Sequence, residues 1–490
     1  MPIGELPLDH LLRRAGFGTT AAESAAHSGL SLAAATDLLL APERVADDTD
    51  THIGQEGYAA VTPRGTTGLF SPNTVIDDAR QRWLFRLVHG QRPLQEKMAL
   101  FWHQHFATAY GKLAGAVGTI QATKMLALKA GELPGPQGQL ELFRARGLGR
   151  FRDLLVAVAQ DPAMLVWLDG RSNTRTRPQE NFGREVMELF TLGRGNYREQ
   201  DVYAAARVFT GWNLRLSAGG NNQDPDSYYE FFYNAGQHEL TSKTFTFAVY
   251  ADGGHTIPAR SAADGYQDGL DFLAALAAHP ETGRRLARRL WTFFVSEVDP
   301  APPGFVEAAL EVYLRSDTDM TAVLGWLFRS PWFLDLRVAF SRYAWPAEFV
   351  ARAIREIGWT GFSLDTARSA MINMGQTLFE PPDVGGWETG PAWITSGGLL
   401  ARMNFASTLA ASQRAGIARM VPATAARSAD AVVAAILERL SPMTLDPDPR
   451  DALVAYLSSQ GPWTGSDAQL TTRVAGLVRL ILASGEYQFI

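Results

Sequence analysis

The sequence predicts a mainly α protein: a large multi-helix body with a short β-hairpin inserted near residues 228–249. Three observations lead there. Apolar residues recur at three- and four-residue steps through most of the chain, as in Trp83, Leu84, Leu87 and Val88, then Met98, Leu100 and Phe101. Of the 490 residues 46% are hydrophobic and 20% charged, a balance that supports a packed interior and excludes general disorder. One region alone, Tyr228-Tyr-Glu-Phe-Phe-Tyr233 and Lys243-Thr-Phe-Thr-Phe-Ala-Val249, is dense in the aromatic and β-branched residues that favour strands.

Taken in order, residues 73–106 read as two helices parted by Gly90 and Pro93, which punctuate the periodicity. Further helices are expected at 149–160, 179–193, 199–213, 263–278, 280–297, 304–315, 319–329, 344–357, 365–375 and 397–415, with three or four more in the tail 428–488. The segments 228–233 and 243–249 pair with each other in this reading, across a polar turn that carries His238. Asp47 to Thr67, Pro134 to Gln139 and the Gly/Asn-rich stretch Ser217 to Ser227 carry loop chemistry. Residues 1–410 then form one helical domain with the insertion at 215–260, and 411–490 a helical segment packed on that domain.

Composition narrows the function classes. With 51 acidic against 45 basic side chains the net charge is -6, which argues against a protein that works by broad neutralisation of nucleic-acid phosphates. There is no cysteine, so disulfides, thiolate metal sites and cysteine nucleophiles are excluded and any metal must rest on His, Asp, Glu or carbonyl oxygen. Only five of the 45 basic residues are lysines, Lys97, Lys112, Lys124, Lys129 and Lys243, which makes Schiff-base chemistry a thin prospect. The opening MPIGELPLDHLLRRAGFG has no export signal pattern, so a cytoplasmic location is expected, and no apolar run reaches the length of a membrane span. No Gly-x-Ser-x-Gly elbow and no phosphate-binding loop occurs, and Gly193-Arg-Gly195 reads as a helix C-cap.

Three segments carry more polar chemistry than a core needs. Phe101-Trp-His-Gln-His-Phe106 places His103 and His105 two residues apart, about 200° around a continuous helix, so they share a ligand only if the helix ends there. The ordinary alternative is one core and one surface histidine. In the helix after Pro178, Asn181, Arg184, Glu185 and Glu188 fall on one stripe, with Phe182, Val186, Leu189 and Phe190 opposite. If solvated, that stripe is a common amphipathic face; if buried, its carboxylates need arginines or a metal. Gly375 to Ile394 cannot be helical at Pro381-Pro382 and holds Trp387 and Trp393, so it folds back onto the body to plug a core or wall a pocket.

Together these segments resemble the bacterial family catalogued as the uncharacterised domain DUF1800. The resemblance begins at His10-Leu-Leu-Arg-Arg-Ala-Gly-Phe-Gly18, continues through the His103–His105 motif and Asp161-Pro-Ala-Met-Leu-Val-Trp-Leu-Asp169, and is longest over Arg177 to Tyr197. Glu199-Gln-Asp-Val202, Phe209-Thr-Gly-Trp212, His238 with Lys243-Thr-Phe245, the Gly375–Ile394 loop and Arg402-Met-Asn404 complete it. The resemblance implies a mainly helical fold and no established activity, and many members look exported. Gln104 stands where asparagine is usual, and Arg198 where a small capping hydroxyl is expected.

Three functional readings follow. In the first, His103, His105, Glu185 and Glu188 converge with His238 on zinc, iron or manganese, for metal-assisted hydrolysis or, with iron, oxidation, while Asn181 and Arg184 orient ligands or hold a substrate anion. Against it, no helix carries a Glu-x-x-His or His-x-x-x-His pair. In the second, Glu185 or Glu188 acts with His103 as acid and base on a polar polymer or glycan, with Trp167, Trp212, Trp387 and Trp393 offering stacking surfaces. In the third, the chain is a scaffold or binding protein and the polar motifs are an internal network supplied by Arg184, Arg207 and Arg402.

Overall fold

A computed structural model describes residues 8–217, 219–440 and 445–490. Twenty-three α-helices and two two-stranded sheets make up the regular structure of the described residues. Most expected helices are present with shifted ends, among them Ile76–His89, Pro93–His105, Glu199–Val208 and Pro346–Ile357. None is long and apolar enough to cross a membrane among the described residues. Several short helices escaped the periodicity reading, including Leu8–Ala15, Tyr110–Val117 and Gln139–Arg146; with only eight residues each, they span too few turns for a clear apolar stripe.

Two helices lie at the centre. In Pro93–His105 every residue from Glu96 to His105 is buried, and in Pro346–Ile357 all twelve are. Both therefore carry charges into the core, where each must find a partner. Glu96 takes Arg86 at 2.7 Å and Arg144 at 2.8 Å. Lys97 pairs with Glu348 of the second helix, which also receives a bidentate clasp from Arg342 at 2.6 and 2.8 Å. The two central helices are thus tied by charge as well as by apolar packing.

The hairpin exists, but its pairing differs from the expected one. Strand β2 (Tyr229–Tyr233) runs antiparallel to β1 (Trp212–Leu216), with Trp212 opposite Tyr233. Residues 212 and 213 therefore leave the helix expected at 199–213: Gly211, at φ 83°, turns the chain, and its carbonyl accepts from the Asn234 amide at 2.7 Å. The aromatic stretch after Lys243 pairs only at Lys243–Thr244, with Thr256–Ile257. Its alternating side chains Phe245, Phe247 and Val249 are buried instead, Phe245 stacking on Phe272 of the helix Tyr266–Ala278 at 4.6 Å between ring centroids. Burial of those rings against a helix outweighs a longer ladder.

The tail lies on the same body. Asp467–Ala483 packs against Ser396–Ser412, the Tyr487 hydroxyl donates to Glu356 at 2.6 Å, and Arg352 reaches the Phe489 carbonyl at 2.7 Å.

Candidate ligand-binding site

The helix Pro93–His105 ends at the second histidine, with Phe106 as its cap, and its last turn presents three residues to three neighbours. His103 enters a box of Trp83, Phe379 and Trp387, and its Nε2 accepts the Phe379 amide at 3.1 Å. Burial alone pushes its pKa down to about 3, so the ring is neutral. His105 packs among Phe101, Trp102, Phe106 and Phe190. Its Nε2–H donates to the Phe190 carbonyl at 3.0 Å, which leaves Nδ1 as an unpartnered buried acceptor. Burial first, and Arg289 and Arg285 next, hold this ring neutral also. Both histidines are core residues, and the expected surface histidine is not found.

The carboxylate stripe sits on the neighbouring helix, Glu180–Glu185, which continues as a π-helical turn, Val186–Phe190. Gly183 permits this seat, because a Cβ there would lie 2.9 Å from that of Ala205 on Glu199–Val208. The carbonyls at the end of the π turn are satisfied from outside the helix. Leu189 receives Arg285 Nε at 3.0 Å, Phe190 receives His105, and Met187 receives the Gly193 amide at 3.0 Å. Gly193, at φ 84°, is the expected C-cap.

The stripe is half-buried and mostly paired with residues outside it. Arg184 turns outward to Glu199 at 2.6 Å and to Glu180 at 3.3 Å. Asn181 donates to Asp169 at 3.3 Å. Glu188 takes Arg194 at 2.5 Å and the Tyr197 hydroxyl, partners that lower its pKa; burial first and then Glu188 push Tyr197 up to about 12. Glu185 makes no ion pair among the described residues, and burial, then the nearby Glu188, raises its pKa.

His238 belongs to a different site. It is fully buried beneath the hairpin, with Nδ1 2.8 Å from the Thr210 carbonyl and Nε2 3.2 Å from Asp268. Asp268 is closed off by Lys243 at 2.6 Å and Arg260 at 2.6 Å. The expected convergence of His103, His105, Glu185, Glu188 and His238 on one metal is therefore corrected. Among the described residues no group of three or more His, Asp or Glu side chains is placed to hold an ion, and the lone pairs of His103 and Glu188 already serve as acceptors. Of the three arginines expected to hold the stripe, only Arg184 lies on it. Arg207 pairs with Glu239 at 2.8 Å, and Arg402 bonds Gln488 and the Ala344 carbonyl.

The loop 375–394 both plugs and walls. Phe379, in left-handed backbone at φ 62°, fills the core beside Trp83 and His103. Trp387 then lines a cavity of about 320 Å³ with Phe101, Phe293 and Trp345. Gln104, Arg288, Arg289 and Thr292 supply its polar side, and Glu388 and Thr389 its outer rim. Gln104 fixes the loop: its amide donates to the Trp387 carbonyl at 2.7 Å and accepts the Trp387 amide at 2.9 Å. The Gln104 side chain is therefore long enough to hold both groups. The cavity's far wall carries a second π-helical turn, Trp291–Val295, a geometry that often accompanies functional sites.

The sequence reading had named Trp387 and the loop, but it missed Gln104 as the clamp and overlooked Arg288 and Arg289. The arginine-rich run Arg284-Arg-Leu-Ala-Arg-Arg289 was the available signal. Fold and cavity together define a helical protein with an aromatic-floored, arginine-edged pocket. The chain belongs to the family described as protein of unknown function DUF1800, whose model matches residues 10–489. No curated protein and no solved structure matches it.

Proposed function

We propose that the protein binds a ring-bearing organic ligand, such as a sugar unit of a glycan, in the cavity between Trp387 and Arg289, and that it does so without a metal. The observation that carries this reading is the cavity itself. Its volume of about 320 Å³ lies within the range of small-molecule sites, its floor is aromatic, and its polar groups converge from one side. Indole and phenyl surfaces bury the apolar faces of a sugar ring, while the amide and guanidinium groups serve its hydroxyls. The loop that brings Trp387 there is pinned by two hydrogen bonds, so the site is pre-formed and little ordering is needed on binding.

Calorimetry and tryptophan fluorescence with a panel of mono- and oligosaccharides test this reading. Saturable binding that Trp387→Ala abolishes and Trp167→Ala leaves intact is the expected result. Equal binding by both variants would overturn it.

Acid–base catalysis by Glu185 has no such support: its carboxyl makes no ion pair among the described residues and its pKa is raised by burial and then by Glu188, but it does not line the cavity. The metal-dependent hydrolase reading has no comparable support, because its donors are dispersed or already engaged.

A further inference from the structure

We infer that the ligand of this cavity is an anion, a ring compound bearing a carboxylate or phosphate group that Arg288 and Arg289 hold. The inference rests on the reading of the cavity as a binding site and specifies its ligand class.

The argument is one of unbalanced charge. Other interior arginines are satisfied either by carboxylates, as Arg86 by Asp47, Asp50 and Glu96, Arg144 by Glu96 and Glu141, and Arg342 by Glu348, or by several neutral acceptors, as Arg14 by the Phe294, Val295 and Val338 carbonyls and Arg402 by Gln488 and the Ala344 carbonyl. The cavity is different. Among the described residues neither Arg288 nor Arg289 forms an ion pair, and Arg289 has a single, long hydrogen bond, from Nη2 to the Gln104 carbonyl at 3.4 Å. Arg285, one turn earlier on the same helix, also lacks an ion pair; it spends its Nε on the Leu189 carbonyl.

Three guanidinium groups on one helix face repel one another, and burial and Arg285 together lower the pKa of Arg289 to about 10. Glu388, the one carboxylate on the cavity lining, is exposed and reaches neither arginine within ion-pair distance, so the lining keeps an excess of positive charge. Drawing Arg289 out of water without a counter-ion is costly, and an oxyanion held between it and the exposed Arg288 relieves that cost by accepting the fork of N–H donors. The aromatic floor then takes the ring to which the anion is attached. Carboxylate and phosphate share this chemistry, so the probes must separate them.

Titration calorimetry on the full chain with glucuronate, glucose 6-phosphate, glucose, benzoate and inorganic phosphate tests the inference. The expected result is that at least one ring-bearing anion binds about tenfold or more tightly than glucose, and that added salt weakens it. Glucuronate or benzoate as the stronger ligand identifies carboxylate, and glucose 6-phosphate identifies phosphate. Arg289→Met should remove the preference, and the exposed Arg288→Ala, which leaves the core untouched, should reduce it if the first variant fails to fold. Glucose binding as tightly as the anions, with both variants unaffected, would overturn the anionic assignment and leave the binding reading standing. Inorganic phosphate binding as tightly as every ring compound would also overturn the ring-bearing ligand class. Absence of binding by all five would overturn both.

Discussion

Gln104 grips the backbone of Trp387 with both ends of its side-chain amide, at 2.7 and 2.9 Å, across 283 residues of sequence. One residue of the last turn of Pro93–His105 thereby sets the position of the indole that lines the cavity. Next to it Gly386, at φ 88°, passes so close that a Cβ would meet the Gln104 Oε1 at 2.6 Å and its backbone carbonyl at 2.7 Å.

Gln104→Ala should leave the buried amide and carbonyl of Trp387 without partners and cost about 1–3 kcal/mol. Gly386→Ala should cost about 1 kcal/mol or more from its backbone conformation and close contact. Gly397, on a helix with open space about its Cα, is the control, since alanine there favours the helix. Urea denaturation measures all three. Equal stability of the Gly386 and Gly397 variants would show that the loop is held by other means.

Asp268 serves as counter-ion to Lys243 and Arg260 and as acceptor for His238, with no exposure of its side chain. Asp268→Asn should leave the buried Lys243 with Glu239 alone, at 3.7 Å, and destabilise by about 3 kcal/mol. Asp271→Asn, which removes a partly exposed partner of Arg260, should cost less than about 1 kcal/mol. Comparable losses in the two variants would rule out the buried network as the source of the difference.

Two buried groups give opposing dependences of stability on pH. His103 titrates near 6.5 when unfolded and about 3 when folded, so between these values the unfolded chain holds the extra proton. Stability falls as pH drops through that window, by up to about 1.4 kcal/mol per pH unit. Asp161, buried as the cap of Pro162–Trp167, is raised to about 7 from 3.8, so the folded state holds the extra proton. Its contribution is present below pH 3.8 and is lost as pH rises through 7. His103→Gln should therefore flatten the acid loss, and Asp161→Asn should steepen the net fall toward acid. Stability profiles from pH 3.5 to 7.5 that superimpose on the parent's would contradict both assignments.

Purified protein should contain no stoichiometric transition metal, and chelator should leave its melting temperature unchanged. Elemental analysis beside thermal denaturation checks this. One zinc, iron or manganese per chain, with a lowered melting temperature on its removal, would restore the metal reading.

The sequence by itself determined the helical class, most helices, the presence of a hairpin and the identity of the polar segments, because each is written in a window of a few turns. A repeat such as Trp83, Leu84, Leu87 and Val88 needs no knowledge of the rest of the chain. It did not determine which strands pair, since Phe245, Phe247 and Val249 suit a sheet and a helix-packed core equally until Phe272 is placed beside them. Nor did it determine the site. Gln104 and Trp387, or Lys97 and Glu348, meet only because separate helices and a loop pack together, and His103, Glu188 and His238 stay apart for the same reason. The lack of cysteine and the scarcity of lysine limited the chemistry to histidine, carboxylate and arginine. Tertiary packing decided among them by giving most buried charges a carboxylate or carbonyl partner and leaving the half-buried Arg289 without an ion pair at an aromatic cavity.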